Sequence, residues 1–166
     1  MNPNLLIRAH MFSEICAKKG KVITFAESCT GGLIAAALTS VPGASKIFKY
    51  GWVCYSAEAK NVQLGVDMDL IAREGVVSEA VALAMAEGAL EKSQADSAIA
   101  LTGNAGPTAE VGSAPVGTVC IALARRCGDR LSLTLDLQGL ERNQWRERVA
   151  METFDFMLSQ IQSNKS

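Results

Sequence analysis

Apolar, β-branched segments alternate with amphipathic segments along most of the chain, and this alternation is the strongest constraint on its fold. Strands are predicted at residues 22–25, 47–55, 97–102, 117–124 and 131–137. The last two are separated by Cys127-Gly128-Asp129-Arg130, a turn consistent with a hairpin. Because alternating strands and helices favour parallel pairing and the hairpin adds an antiparallel pair, we predict a mixed sheet covered on both faces by helices.

The helices are predicted at residues 5–19, 33–38, 58–64, 78–90 and 142–161. The fourth begins most clearly, since Ser78 is a good N-cap and Glu79 suits the positive end of the helix dipole. Residues 103–115 are predicted as a Gly/Pro loop and residues 163–166 as a polar tail that frays. No repeat or linker interrupts the pattern, so residues 1–166 are expected to form a single domain.

The chain is nearly neutral, since 16 Lys and Arg against 17 Asp and Glu leave a formal charge of -1 over 166 residues. We therefore expect neither nucleic acid nor a membrane among its partners. No signal peptide is evident, and no apolar run approaches the about 20 residues that a membrane span needs. The five cysteines form no C-x-x-C pair and are expected to be reduced and buried, as in a cytoplasmic protein.

A single histidine, His10, limits the chemistry available to the chain. A zinc site built on two or three imidazoles is impossible within one chain. A Ser-His-Asp triad could use only His10, which lies in an N-terminal segment of ordinary helical pattern. A catalytic base is therefore expected to be a lysine, a tyrosine or a carboxylate, with no metal and no other cofactor required.

The first segment that could carry chemistry is Ala26-Glu27-Ser28-Cys29-Thr30-Gly31-Gly32, between a predicted strand and helix. The amides of Thr30, Gly31 and Gly32 are expected to be unpaired helix-start donors that favour a phosphate or an oxyanion. Ser28 would present its hydroxyl beside them as a nucleophile; in the alternative, a serine or threonine of this segment only caps the helix, and the segment alone supports both equally.

Two neighbours of Ser28 are also candidates. Glu27 could orient a base or bind a ribose hydroxyl, and a structural ion pair is an equal alternative. Cys29 could attack as a thiolate of low pKa or simply pack as a buried sulfur.

The second segment, Leu101-Thr102-Gly103-Asn104-Ala105-Gly106-Pro107, also follows an apolar strand. If that strand runs parallel to the first, the two loops meet at the same edge of the sheet. Thr102 could then bind a substrate or orient Ser28. In the alternative, Thr102 bonds the backbone within a Gly/Pro turn.

Further candidates lie in residues 55–60 and at the start of the last helix. Lys60, with a pKa lowered by burial, or Tyr55, as a relay, could activate a serine; the alternative is an exposed lysine and a half-buried tyrosine. Arg142 and Arg146 share a helix face suited to a phosphate, with Arg148 close by. These arginines could instead pair with acidic neighbours, Glu141 and Glu147.

Together these motifs resemble one family. The stretches are TFAESCTGGLIAAALTSVPGASKIF, YSAEAKNVQLGV, LTGNAGP and PVGTVCIAL, and they resemble the CinA C-terminal-domain family, which includes PncC-type nicotinamide-nucleotide amidases. The resemblance implies a three-layer α/β/α sandwich with a mixed, mostly parallel sheet, usually in a homodimer. It also implies hydrolysis of the carboxamide of nicotinamide mononucleotide, giving nicotinate mononucleotide and ammonia, with no cofactor.

The resemblance assigns roles by motif. Ser28 would be the nucleophile, surrounded by Tyr55, Lys60 and Thr102, with the base left open between Lys60 and Tyr55. The pyridine nucleotide would be bound by the following residues: Glu27, Thr30, Gly31, Gly32, Gly103, Ala105, Gly106 and Arg142.

Several positions depart from the family pattern. Trp52 and Cys54 stand in a stretch that is usually glycine- and valine-rich, Ala57 replaces an asparagine, and Asn104 replaces an aliphatic residue. Residues 108–111 replace a glycine-rich stretch, and Arg142 follows Leu-Glu rather than Gly-Asp. The larger N-terminal domain of full CinA proteins is not in this sequence, so a stand-alone form is expected. These departures leave a second hypothesis open, a catalytically silent paralogue that binds a nucleotide or a partner.

Overall fold

The computed structural model describes residues 1–109 and 111–163, which form a five-stranded sheet in the order β2-β1-β3-β4-β5. The strands are β1 (Ile23–Glu27), β2 (Phe48–Val53), β3 (Ser97–Gly103), β4 (Thr118–Arg125) and β5 (Arg130–Asp136). β1 pairs in parallel with β2 and β3, whereas β4 is antiparallel to both β3 and β5. Every strand except β4 therefore runs in one direction, and the predicted mixed sheet and hairpin are confirmed.

In the described part of the chain, six α-helices flank this sheet: α1 (Pro3–Lys18), α2 (Leu33–Thr39), α3 (Ala57–Leu64), α4 (Met68–Glu74), α5 (Glu79–Ser93) and α6 (Arg142–Ser163). The N-cap prediction is confirmed, because the Ser78 hydroxyl accepts a hydrogen bond from the amide of Val81 (3.2 Å). Helix α4 was missed; it is short and has one buried residue, Ile71, so it carries little periodicity. Of the predicted tail, residue 163 belongs to α6 and residues 164–166 lie outside the described residues.

Two apolar clusters lie on opposite faces of the sheet and make the three layers. One cluster packs α1, α2 and α6 against large side chains such as Phe25, Ile99 and Leu101. The other packs α3, α4 and α5 against small strand residues such as Ala98 and Ala100. Because small side chains let a helix approach the sheet closely, the alanine-rich α5 lies on this second face. The three-layer α/β/α prediction is thereby confirmed.

The direction of the strands decides where a site can form. β1 and β3 are adjacent and parallel, so their carboxyl ends, at Glu27 and Gly103, lie side by side. In open α/β sheets, ligands bind at this edge, where the loops after the strands converge. The segments that begin at Glu27 and Gly103 are therefore neighbours, as the sequence suggested they would be if the strands were parallel.

The three general expectations from composition concerned membrane-spanning helices, metal ligands and the state of the cysteines. No helix in residues 1–109 and 111–163 is long and apolar enough to cross a membrane. The same residues contain no group of three or more His, Cys, Asp or Glu side chains arranged to hold a metal ion. All five cysteines are free and four of them are buried, but Cys127 is exposed in the hairpin turn, so the expectation of burial is wrong for this residue.

Candidate active site

Ser28 and Lys60 form a buried pair directly beyond the end of β1. Ser28 is 5% exposed and Lys60 is fully buried, and Lys60 Nζ lies 2.9 Å from Ser28 Oγ. The same Nζ donates to the carbonyl oxygen of Cys54 (2.9 Å). Helix α3 carries Lys60 here because the Ser56 hydroxyl caps its first turn, accepting from the amide of Ala59 (3.0 Å). The alternative of an exposed helical lysine is therefore wrong.

Burial shifts the protonation equilibrium of Lys60 towards the neutral amine. Burial lowers the pKa of Lys60 from its ordinary value of 10.5, because removal from water penalises the charged form. The Cys54 and Cys29 thiols act in the opposite direction and to a smaller extent. A neutral amine has a lone pair, so the contact between Lys60 Nζ and Ser28 Oγ can reverse, with the serine hydroxyl donating its proton to the amine.

Glu27 holds the turn that presents Ser28. Its carboxylate is 1% exposed and accepts hydrogen bonds from the Thr30 hydroxyl (2.6 Å) and from three amides at the start of α2, those of Gly32 (3.0 Å), Ile34 (3.2 Å) and Ala35 (2.8 Å). A carboxylate at a helix N-terminus satisfies orphan donors and complements the dipole. Glu27 is therefore the cap of α2, and the hypothesis that a serine or threonine caps this helix is wrong.

The predicted anion site at these amides is also wrong for two of the three residues. The Gly31 amide donates to the carbonyl of Ser28 (3.0 Å), and the Gly32 amide is taken by Glu27. Both glycines have positive φ angles, 61° for Gly31 and 91° for Gly32, which a side chain would disfavour. Glu27, Thr30, Gly31 and Gly32 shape the turn, and the cavity beside Ser28 is lined by other residues.

Replacing Glu27 with Gln should destabilise the protein. The oxygen of the glutamine amide can keep some of the hydrogen bonds, but the side chain has no negative charge. Its NH₂ group would also point at N–H or O–H donors that the second carboxylate oxygen now accepts from. A hydrogen bond to a charged acceptor contributes about 1.5–3 kcal/mol, so we expect the free energy of unfolding to fall by about 2 kcal/mol. Urea unfolding measures this change. Glu91→Gln, at an exposed position of α5, is the control; equal losses in the two variants would contradict the capping role.

A cavity of about 240 Å³ opens beside the Ser28–Lys60 pair. The lining comes from the turn after β1, the start of α3 with the residue before its cap, the loop before α5, the end of β3 with the loop that follows it, and the start of α6. The residues are Ser28, Cys29, Tyr55, Lys60, Val76, Val77, Thr102, Gly103, Asn104, Ala105, Gly106 and Arg142. Of the predicted site residues, the structure thus gathers Tyr55, Thr102, Gly103, Ala105, Gly106 and Arg142 with Ser28 and Lys60.

Thr102 has a different partner from the one predicted. It is 1% exposed, and its hydroxyl donates to the carbonyl oxygen of Val76 (2.9 Å) rather than to Ser28. The bond ties the loop before α5 to the end of β3, so that Val76 and Val77 line the cavity. Neither valine was predicted at the site, since nothing in a Val-Val dipeptide before an N-cap indicates a site. The orienting role predicted for Thr102 is therefore not what the geometry supports.

Arg142 lies at the mouth of the cavity. Its guanidinium donates to the Tyr55 hydroxyl (2.7 Å) and to the carbonyl oxygen of Gly106, so it connects both walls. Tyr55 is 60% exposed and has Arg142 as its hydrogen-bond partner, whereas Lys60 contacts Ser28. Of the two candidate bases left open by the sequence, Lys60 is the one in contact with the Ser28 hydroxyl.

The other two arginines of α6 have separate roles. Arg146 donates to the carbonyl oxygen of Thr30 (2.7 Å), so it braces the turn after β1 from outside. Arg148 pairs with Glu152 (2.7 Å) along the helix. The predicted alternative of pairing with Glu141 and Glu147 does not describe these contacts, and the bracing role of Arg146 had no signal in the sequence.

Cys29 is a poor candidate for the nucleophile. The thiol is 5% exposed, and burial raises the pKa of Cys29 from 9.0 to about 12. A thiol needs to lose its proton to attack, and at neutral pH this one is protonated. Ser28, which contacts an amine, is better placed for nucleophilic attack.

The chain matches a known family over nearly its whole length. The family model described as the CinA C-terminal domain matches residues 7–161. The chain belongs to this family. Among curated relatives, a CinA-like protein of Mycolicibacterium gilvum is 50% identical over 143 residues, which are 84% of this chain and 34% of that protein. A putative competence-damage inducible protein of Symbiobacterium thermophilum is 52% identical over 113 residues, 68% of this chain and 26% of that protein. This CinA-family chain therefore spans about a third or less of the length of these relatives.

Solved structures of CinA-family proteins have the same fold. The competence/damage inducible protein CihA from Agrobacterium tumefaciens superposes with a TM-score of 0.91 and 34% identity, covering 96% of each chain. A CinA superfamily protein from Klebsiella pneumoniae 700603 also has a TM-score of 0.91, with 30% identity and coverage of 98% of this chain and 99% of that one. The CinA fold is thus established for this chain. Any function proposed for it has to account for the buried contact between Ser28 and Lys60.

Proposed function

We propose that this CinA-family chain is an amidohydrolase that converts nicotinamide mononucleotide to nicotinate mononucleotide and ammonia. The observation that carries the proposal is the buried contact of 2.9 Å between Lys60 Nζ and Ser28 Oγ. A serine needs an adjacent base to become a nucleophile, and a desolvated lysine amine serves this purpose in a site without imidazole.

The reaction follows from the proton that this pair can exchange. Neutral Lys60 takes the hydroxyl proton of Ser28 while Oγ attacks the carboxamide carbon, forming a tetrahedral intermediate. Lys60 then gives the proton to the leaving nitrogen, so ammonia departs and an acyl ester on Ser28 remains. Water, deprotonated by Lys60, attacks this ester, and the proton returns to Ser28 Oγ as the ester bond breaks; the released carboxylic acid loses its own proton to solvent and becomes the carboxylate product.

The cavity has dimensions and charge that suit this substrate. Water occupies about 30 Å³ per molecule in the liquid, so the 240 Å³ cavity holds roughly eight heavy atoms, about the size of a nicotinamide ring with its carboxamide. Val76 and Val77 supply apolar contacts for the ring, and Arg142 supplies a cation at the mouth. A phosphate accepts two parallel bonds from a guanidinium, which are stronger than the bonds to Tyr55 and Gly106 that it would replace.

The proposal is tested by incubating the protein with nicotinamide mononucleotide and measuring ammonia and nicotinate mononucleotide. We expect equal amounts of the two products. Nicotinamide, nicotinamide riboside and an unrelated amide, assayed in parallel, report whether the phosphate and the ring are recognised. Binding of the nucleotide in calorimetry without turnover at any pH would support the alternative hypothesis of a silent binding paralogue and would contradict the amidase.

Arg142→Ala should weaken substrate binding more than the chemical step. The guanidinium contacts the exposed Tyr55 hydroxyl and the Gly106 carbonyl instead of Ser28, so it is expected to hold the phosphate. Loss of a charge-assisted bond should raise KM about tenfold or more, with a smaller change in kcat. Arg148→Ala on the same helix, whose side chain pairs with Glu152, is the matched control. A KM in Arg142→Ala that equals that of the control would remove Arg142 from phosphate binding.

A further inference from the structure

A second cavity, of about 270 Å³, lies at the opposite edge of the sheet from Ser28. It opens at the amino ends of β1 and β3 and is covered by α1 and α6. Ile23 lines it at the start of β1, five residues before Ser28. At about 3.3 Å per strand residue, the two cavities are roughly 16 Å apart, so one small substrate cannot occupy both.

The floor of this second cavity is apolar. Six side chains that are each at most 3% exposed form it: Phe12, Cys16, Ile23, Ile99, Leu123 and Met157. Burial raises the pKa of the Cys16 thiol to about 12, so this sulfur also acts as an apolar group. A ligand body that enters the cavity therefore has to be hydrocarbon-like, since a polar group on this floor would lose its hydrogen bonds to water without replacement.

The rim, by contrast, is basic. It carries Lys19, Lys21, Arg125 and Arg126 against one carboxylate, that of Asp96. Asp96 is partly committed to the fold, because its Oδ2 accepts from the Val22 amide (2.8 Å) while Oδ1 lies 3.6 Å from Lys21 Nζ.

Among the described residues, two of the four cations at the rim, Lys19 and Arg126, contact carbonyl groups instead of carboxylates. Lys19 contacts a neutral carbonyl, that of Ile161 (3.5 Å). Arg126 donates to two other carbonyls, those of Ala95 (2.9 Å) and Leu90 (2.8 Å). Arg125 pairs with Asp129 (3.0 Å). With Asp96 and Asp129 counted, four cations face two carboxylates, in a chain whose total charge is -1. This edge of the sheet therefore attracts anions.

We propose that this second cavity binds a small amphipathic carboxylate, with its hydrocarbon chain on the apolar floor and its carboxylate at the lysine rim. At about 30 Å³ per water-sized atom, the cavity holds roughly nine heavy atoms, which suits an aliphatic acid of about eight carbons. Neither part of the ligand is sufficient alone, since the floor rejects a purely polar anion and the rim gives a neutral hydrocarbon no advantage. The proposal is independent of the amidase reaction.

The test is a titration of the intact chain with octanoate, followed by NMR of methyl groups labelled in isoleucine and methionine. The methyl signals of Ile23, Ile99 and Met157 should shift, with half-saturation at roughly millimolar concentration or below. Ile71, on the other face of the sheet, reports any unspecific effect. Octanol has the same chain without the charge and should bind about tenfold more weakly or worse.

Two charge variants separate recognition of the carboxylate from a general field effect. Lys19→Glu/Lys21→Glu should weaken octanoate binding about tenfold, since both lysines are exposed at the rim and their surface contacts contribute little to stability. Lys46→Glu/Lys49→Glu makes the same change of charge at exposed residues outside the cavity and should leave the affinity nearly unchanged.

Three results would overturn the proposal. The first is the absence of shifts at Ile23, Ile99 and Met157 with octanoate at several millimolar. The second is equal binding of octanol and octanoate, or equal losses in the two double variants. The third is a set of shifts that follow protein concentration instead of octanoate, which would assign the cavity to contact with a second copy of the chain.

Discussion

Ser28→Ala should abolish the release of ammonia from nicotinamide mononucleotide. The substitution removes the oxygen that forms the acyl ester, and the small side chain leaves the surrounding turn unchanged, because that turn is held by Glu27 and not by the Ser28 hydroxyl. Loss of a catalytic nucleophile costs on the order of 10⁴-fold or more in kcat. The measurement is the rate of ammonia release under saturating substrate.

Two controls make the Ser28 result specific. Ser45→Ala changes an exposed serine in the turn before β2 and should leave the rate unchanged. Calorimetry of Ser28→Ala with the nucleotide should still detect binding, since Arg142 and the valine wall are intact. If Ser28→Ala releases ammonia at the rate of the unsubstituted protein, an acyl–Ser28 intermediate is excluded.

Lys60→Met should reduce kcat by about 10³-fold while preserving the fold. Methionine matches the aliphatic stem of lysine but has no amine to take the Ser28 proton, and general base catalysis contributes about 10²–10⁴-fold. The protein should still fold, but its free energy of unfolding should fall by about 1–3 kcal/mol, because the buried carbonyl oxygen of Cys54 loses its donor and the Ser28 hydroxyl loses its partner. Steady-state kinetics and urea unfolding measure the two quantities. Lys49→Met, at an exposed position of β2, is the matched control.

The pH dependence of the reaction should report the same lysine. The base has to be neutral, so kcat/KM should rise with pH and level off above the pKa of Lys60, which burial holds below the ordinary value of 10.5. The rising limb should disappear from the residual activity of Lys60→Met. Retention of that limb, with the same midpoint, would mean that another group supplies the base.

The single histidine lies outside the site, which agrees with a catalytic base other than histidine. His10 is on α1, where its Nδ1 is 3.8 Å from a carboxylate oxygen of Glu14, and it is well exposed. The cavity beside Ser28 is lined by other residues. The single histidine therefore lies outside the residues that line this cavity, as its place in an N-terminal helix suggested.

Most of the fold could be predicted because its elements have strong local patterns. β1, β3 and β4 are apolar runs, and α5 begins at a serine cap with an acidic first turn. Helix α4 could not be predicted in this way, since its seven residues bury one side chain and its cap depends on Asp67, which accepts from the Asp69 amide (2.9 Å). Short elements of this kind form because their neighbours pack against them, which no local window reveals.

The sequence predicted which residues lie at the site better than it predicted what each of them does there. Ser28, Lys60, Tyr55 and Arg142 all lie at one cavity, but Glu27 caps α2 from inside instead of facing a substrate. The error has a physical cause. A carboxylate that follows a strand can turn towards the cavity or towards the helix start, and which way it turns depends on where the helix is packed.

The sequence by itself determined the layered α/β fold and the exclusion of chemistry based on several imidazoles, whereas the meeting of the two loops at one sheet edge needed the parallel pairing of β1 and β3 that the structure shows. The fold and this exclusion rest on local periodicity and composition. Only the tertiary structure decided that Lys60 contacts Ser28, that Thr102 holds the Val76 loop, and that an apolar cavity with a basic rim lies at the opposite edge. Ser28 and Lys60 are 32 residues apart, and the burial that lowers the lysine pKa arises when α3 packs against the sheet, because desolvation is a property of the folded surroundings and not of the residue type.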